Sequence, residues 1–145
     1  MEKQQTFGPI VTARSFKDHV KSIVGDPYIA MVELISNSWD AGAENVKITW
    51  PEETGGEMII EDDGEGMSKE EFLKIWRTLG YNRTEKQGRE VTHRTKRIGY
   101  REAYGKNGKG RHAPFCFAEI YNVETWKNNE CSHFKIKKTI KKDLK

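Results

Sequence analysis

From Gly80 to His112 the chain carries almost no periodic apolar residues and holds six glycines, Gly80 included. Regular elements cannot be placed there, so any fold must be built from the patterned segments on either side. A loop of more than about 30 residues inside a compact domain is uncommon, and where one occurs it commonly serves as a lid or binding loop. The segment is also basic, with ten Lys or Arg against three Glu from Tyr81 to His112. The whole chain has a formal net charge of only +3, too little to argue for a nucleic-acid binder by itself. A second basic tract follows Phe134, with six lysines against one Asp; a solvated edge strand guarded by lysines explains it as well as phosphate contacts do.

The flanks are patterned. Residues 15–24 (SFKDHVKSIV) have Phe16, Val20 and Ile23 or Val24 at helical spacing. In GDPYIAMVELISNSWDAG, Asp26 suits an N-cap, Pro27 the first helical position and Gly42 the left-handed position after the end. Met31, Leu34, Ile35 and Ser38 form its expected packing stripe. Val46, Ile48 and Trp50 alternate as a half-buried strand, PEETGG turns the chain, and EMIIEDD is a second strand ending in acid. Ser68 and Glu71 make a capping box before a helix that buries Phe72, Ile75, Trp76 and Leu79. After the long loop, APFCFAEIYNVETW reads as the end of a helix and then a strand. SHFKIKKTI reads as a last strand, with Phe134, Ile136 and Ile140 on one face. The order implies an α+β fold, helices layered on a mixed sheet, rather than a regular βαβ alternation.

At 145 residues this is one domain, large enough to form a core without staples. Two cysteines make no disulfide framework, no signal layout opens the chain, and no apolar run approaches the ~20 residues that span a bilayer. A cytoplasmic setting without membrane contact is expected.

Three constellations carry chemistry. Glu33, Asn37 and Asp40 fall at i, i+4 and i+7, on one helix face with Ala30 and Ala41 beside them. A solvated face would give the same polarity, yet residues 27–43 contain no Lys or Arg to partner it. EDDGEGM (residues 61–67) could be an ordinary turn, but its acids directly follow the apolar run Met58, Ile59, Ile60. A carboxylate there, with glycines that admit a planar group, suits a base edge. YGKNGKGRHAPF (residues 104–115) places glycines before a helix, where backbone N–H groups can receive an anion. Its spacing is neither the Walker pattern nor the Rossmann fingerprint.

In this order, the three resemble the boxes of the GHKL ATPase superfamily (gyrase, heat-shock chaperone, histidine kinase, MutL), which shares the Bergerat fold. ELISNSWDA (Glu33 to Ala41) is similar to its N-box, DDGEGM (Asp62 to Met67) to its D-x-G-x-G box, and GKNGKG (Gly105 to Gly110) to its glycine box. The similarity runs from about Phe16 to Ala118, and Arg111 after the last glycine places it closer to the MutL, MORC and chaperone-like branch.

The resemblance implies a two-layer sandwich with helices on one face of a mixed, mostly antiparallel sheet, a lid at 81–104, ATP and Mg2+ as cofactors, and residue roles. Glu33 would be the general base on water, and Asn37 would hold Mg2+. Asp40 and Ala41 would line the pocket, Asp62 would accept from the adenine amino group, and Gly64, Gly66 and Met67 would lie along the base. Gly105, Gly108, Lys109 and Gly110 would meet the phosphates with Arg111 close by, and Lys86 would be a lid lysine near the γ-phosphate. The family's later Gly-Thr strand has no match after the glycine box. The sandwich is therefore expected to lack its last strand or strands and the domain to be truncated at its C-terminus.

The expected function is ATP binding and hydrolysis with lid closure, ATP or ADP as ligand, and an ATP-dependent homodimer or DNA contact through a larger assembly. The alternatives are a nucleotide-responsive domain without hydrolysis, or a basic DNA-contacting domain of a repair or defence system. His112, Cys116, Cys131 and His133 lack the spacing of common zinc fingers; a buried Cys116 and a surface Cys131 are expected instead. Trp39, Trp50 and Trp76 are expected in the core.

Overall fold

The computed structural model describes residues 21, 23–78, 102–104 and 110–138. Of the expected first helix, Lys21, Ile23 and Val24 are described and are helical, and the Gly25 N–H donates to the Lys21 carbonyl at 3.2 Å. Most of the 81–104 segment, Leu79, Thr139 and Ile140 lie outside the described residues.

Helix α1 (Pro27–Asp40) begins where the sequence places it. The Asp26 carboxylate accepts from the N–H groups of Tyr28 (2.9 Å) and Ile29 (3.2 Å), and Pro27 opens the first turn. It ends in a Schellman arrangement: Gly42, at φ +77°, donates to the Trp39 carbonyl and Ala43 to that of Ser38. The expected apolar stripe needs correction. Ala30, Ser36 and Ser38 are the buried residues of α1, Leu34 is half-buried, and Ile35 is 40% exposed. The reason is the partner, a short and tight helix that approaches along small side chains.

Strands β1 (Val46–Thr49) and β2 (Ile59–Asp62) pair antiparallel, with Ile48 opposite Ile60 and Val46 opposite Asp62. The exit from α1 is tied to the end of β2 by Asp63, whose carboxylate accepts from Glu44 N–H (2.7 Å), Asn45 N–H (2.8 Å) and Asn45 Nδ2 (2.9 Å). The Asn45 hydrogen bonds hold the Asp63 carboxyl below its usual range.

Helix α2 (Lys69–Arg77) starts with the expected capping box. Ser68 Oγ accepts from the Glu71 N–H at 3.3 Å, and Glu71 Oε2 accepts from the Ser68 N–H at 2.8 Å. Its buried Phe72 stacks between Trp76 (4.2 Å between centroids) and Phe134 (3.8 Å).

The glycine run leads into a 3-10 helix, η1 (Gly110–Cys116), where the sequence suggested an ordinary helix. Pro114 accounts for the tighter winding: it has no N–H to give, and its ring crowds the carbonyl four residues back. η1 packs along α1, and Ala113 joins Ala30 and Ile23 in a small core bordered by Leu34 and Cys116.

Strands β3 (Ile120–Lys127) and β4 (Glu130–Lys137) form a hairpin closed by Asn128 (φ +53°) and Asn129 (φ +64°). Two left-handed residues in a two-residue loop match the right-handed twist of the strands, and Asn tolerates that conformation. Phe134 and Ile136 share the half-buried face as expected.

The described strands make two antiparallel pairs, and with the helices they give the expected α+β fold. The hairpins meet turn against strand, where the Met67 N–H donates to Thr125 Oγ1 at 2.7 Å. Two tryptophans depart from the expected core. Trp39 is 44% exposed and donates through Nε1 to the Glu102 carbonyl at 2.9 Å. Trp50, 61% exposed, falls one residue past the last pair of the β1–β2 ladder. Trp76 is half-buried, and Cys116 is half-buried rather than buried.

Tyr121 joins the layers. Its hydroxyl accepts from Trp76 Nε1 (3.1 Å) and donates to the Arg111 carbonyl (3.3 Å), and its ring meets Phe115 edge-on at 5.0 Å. Burial raises its pKa to about 12. Tyr121→Phe strands both partners and should cost about 1–3 kcal/mol in urea denaturation. A second expectation concerns acid. Glu71 is held below its ordinary value of 4.5, first by the Lys127 hydrogen bond (2.8 Å) and then by the Ser68 N–H. Its contribution is therefore complete above pH 4.5 and lost as pH falls through the lower folded value. Glu71→Gln should be less stable at neutral pH and should flatten the fall of the urea midpoint on acidification.

Candidate functional site

An open cleft runs between α1, β2 with the turn after it, the start of η1 and β3. Glu33, Asn37, Asp40, Asp62, Gly66 and Gly110 all line it.

α1 supplies the acidic wall. Glu33 is half-buried, and burial first, then the nearby Asp40 charge, raises its pKa above 4.5. Asn37, one turn on, is exposed to the cleft. Asp40 Oδ1 accepts from the Tyr104 N–H at 2.7 Å, which together with the Trp39–Glu102 bond fastens residues 102–104 to the end of α1.

The turn after β2 supplies a second wall, held at both ends. Asp62 Oδ2 accepts from Ser38 Oγ at 2.9 Å and Oδ1 from the Gly64 N–H at 2.9 Å. A carboxylate offers about four acceptor positions, so Asp62 keeps capacity for another donor. At Gly64 a Cβ would lie 2.8 Å from both the Cβ and the carbonyl oxygen of Ala41, so the turn can touch α1 only as glycine. The Ala41 carbonyl accepts from the Glu65 N–H at 2.9 Å. Gly66 has φ +67°, and a Cβ there would collide with the Trp126 carbonyl. Met67 is gripped by Thr125.

The third wall is the end of the glycine run. Gly110 is buried, and a Cβ on it would collide with the Glu33 carboxylate. Arg111 is 5% exposed; its guanidinium donates to the Thr78 carbonyl at the end of α2, while its own carbonyl accepts from Tyr121. Lys86, Gly105, Gly108 and Lys109 lie outside the described residues.

The structure therefore brings Glu33 to Gly110, and Ala41 to Gly64 beside Asp62, from stretches far apart in sequence. Two supporting residues are not marked by any motif. Periodicity puts Ser38 in the packing stripe of α1, and its signal there is a hydroxyl among apolar positions. Thr125 is one residue of an alternating strand, and a hydroxyl at an inward position is its signal. For a metal, the donor chemistry is that of a hard cation: carboxylate and amide oxygens of Glu33, Asn37 and Asp40. Among the described residues no group of three His, Cys, Asp or Glu could hold a metal ion by itself. Mg2+ fits such a sparse oxygen set because it keeps several waters and takes ligands from phosphates.

An α+β domain with an acidic helix face, an Asp-Gly turn and a glycine-run helix start around one cleft is the architecture of a nucleotide-binding domain. Residues 26–144 match the family model described as histidine kinase-, DNA gyrase B- and HSP90-like ATPase, and the chain belongs to this family, with its ATP-binding module. A stretch of 50 residues is 41% identical to the DNA mismatch repair protein MutL of Carboxydothermus hydrogenoformans, covering 34% of this chain and 9% of that protein. The chain therefore spans a small part of that relative. Among the described residues no helix is long and apolar enough to cross a membrane.

The raised pKa of Glu33 has a stability consequence. The folded state holds this proton more tightly than the unfolded chain, so stability is greatest below pH 4.5 on this account and declines as pH rises through the folded value. Glu33→Gln should remove that decline and leave the protein at least as stable as wild type at pH 7, by thermal melts across pH.

Proposed function

We propose that this chain is an ATP-hydrolysing module in which Glu33 activates the attacking water. The observation that carries the reading is the placement of the Glu33 carboxylate against Gly110, at the end of the run that would receive the phosphates. Asn37 stands one helical turn away, so the base and a metal ligand share one rigid element. Bound there, Mg2+ would supply charge neutralisation to the transferring phosphoryl group. The protein's own part is positional. Asp62, its oxygens steered by Ser38 and Gly64, accepts from the adenine amino group. Gly66 and Met67 lie along the base, and backbone N–H groups from Gly105 to Gly110, with Lys109, meet the phosphates; Arg111 stays close by, its guanidinium on the Thr78 carbonyl steadying the end of the glycine run. Lys86 belongs to a lid over residues 81–104.

Deprotonated Glu33 is the active form, so burial that raises its pKa also makes it a stronger base near neutral pH. The reading further includes an ATP-dependent homodimer, a cytoplasmic setting and DNA contact through a larger assembly, the last in keeping with the DNA mismatch repair protein that a stretch of the chain resembles.

Phosphate release and ATP binding, measured separately, test the proposal. Glu33→Ala should bind Mg-ATP within a few-fold of wild type and lose turnover by about 10²–10⁴-fold, the usual worth of a general base. Turnover that survives in the purified variant moves the base elsewhere, and wild type that binds without releasing phosphate is a regulatory domain instead. Wild-type turnover should rise with pH through a limb set above 4.5, because Glu33 must lose its proton. Asp62→Asn should weaken ATP while sparing tripolyphosphate.

A further inference from the structure

Thr125 is 5% exposed, whereas its neighbours on β3, Glu124 and Trp126, are exposed. The half-buried positions on its side of the hairpin include Tyr121, Val123, Phe134 and Ile136, so an apolar residue would suit the packing. A hydroxyl buried in such company requires partners. It has them in one residue 58 positions earlier: Thr125 Oγ1 accepts from the Met67 N–H at 2.7 Å and lies 3.4 Å from the Met67 carbonyl as donor. The preceding Gly66 is pressed on the same strand so closely that a side chain there would strike the Trp126 carbonyl, and it meets the approach with φ +67°.

The turn from Asp62 to Met67 is thus clamped at three points: Ser38 on Asp62, Ala41 on Gly64, and Thr125 on Met67. The first two come from α1, and the third comes from the β3–β4 hairpin. We infer that Thr125 is a positioning residue for base selectivity, holding the Gly66–Met67 peptide in the plane along which the purine lies. This rests on the base subsite proposed above. The Thr125 hydroxyl touches protein, not ligand; it acts by fixing the distance between the far end of the turn and the Asp62 carboxylate. Loosening that end lets the base slide relative to Asp62, and discrimination between a 6-amino and a 6-oxo purine declines. The phosphates, held at Gly110 on another element, are left as they were.

The experiment compares wild type, Thr125→Val and Thr125→Ser with three probes: Mg-ATP, Mg-GTP and tripolyphosphate. Thr125→Val keeps the shape and removes the acceptor. It should raise the ATP dissociation constant about 10-fold, shrink the ATP-over-GTP preference by a similar factor, and leave tripolyphosphate affinity and saturating turnover within about 2-fold; one lost hydrogen bond to a part-buried N–H is of that order. Thr125→Ser should restore the wild-type ratio. An unchanged ATP-over-GTP ratio, or equal loss of tripolyphosphate, would overturn the inference, since a general weakening of the fold moves all three probes together. Should Thr125→Val not fold, the Met67 amide of wild type decides by NMR. Its resonance should shift with ATP and not with tripolyphosphate, and the reverse sinks the idea. If wild type binds neither ATP nor GTP, the base subsite itself fails rather than the role of Thr125.

Discussion

The site depends on how closely η1 can approach α1. Ala30 and Ala113 are both fully buried at that contact, and a side chain at Gly110 would displace the Glu33 carboxylate. Small residues on both helices let the backbones come near, as larger ones would hold them apart. Other features follow from that approach. It partly buries the Glu33 carboxylate, which raises its pKa. It brings the start of η1, with its N–H groups, to the same carboxylate. Its cost is that an α1 built this way buries little apolar surface, and Ile35 is left exposed.

With so little large-side-chain packing along α1, the remaining order comes from directional bonds. No large side chain among the described residues is fully buried. Tyr121 links α2, the 3-10 helix and β3 through one ring and one hydroxyl. Arg111 ties the glycine run to the carbonyl of Thr78, the residue that caps the end of α2. Asp63 ties the exit of α1 to β2. Each site wall therefore hangs on a few hydrogen bonds, and a bound ligand adds order where the core supplies least.

Local signals were well marked in the sequence. Asp26, Pro27 and Gly42 bound α1, and Ser68 with Glu71 opens α2, because caps are decided by neighbours within a turn. Candidate site residues on α1 and the β2 turn were legible for the same reason: i, i+4, i+7 spacing survives any tertiary arrangement. Long-range partners were not. Nothing within ten residues of Ser38 or Thr125 states that one will meet Asp62 and the other Met67. The exposure of Trp39 and Trp50 was hidden likewise, since periodicity tells which residues share a face but not whether that face is covered. The 3-10 winding at Gly110 was readable in principle from Pro114, whose effect on the carbonyl four residues back is local.

An electrostatic argument connects stability to function. Glu33 is partly buried beside Asp40, and residues 27–43 contain no cation to offset them. Burial and the like charge of Asp40 both disfavour ionised Glu33, so this carboxylate lowers the stability of the fold near neutral pH. A helix selected for stability alone would place Gln or Leu at position 33. Under the reading proposed above, a cation bound together with a polyphosphate would offset both penalties, and the relief would appear as binding free energy.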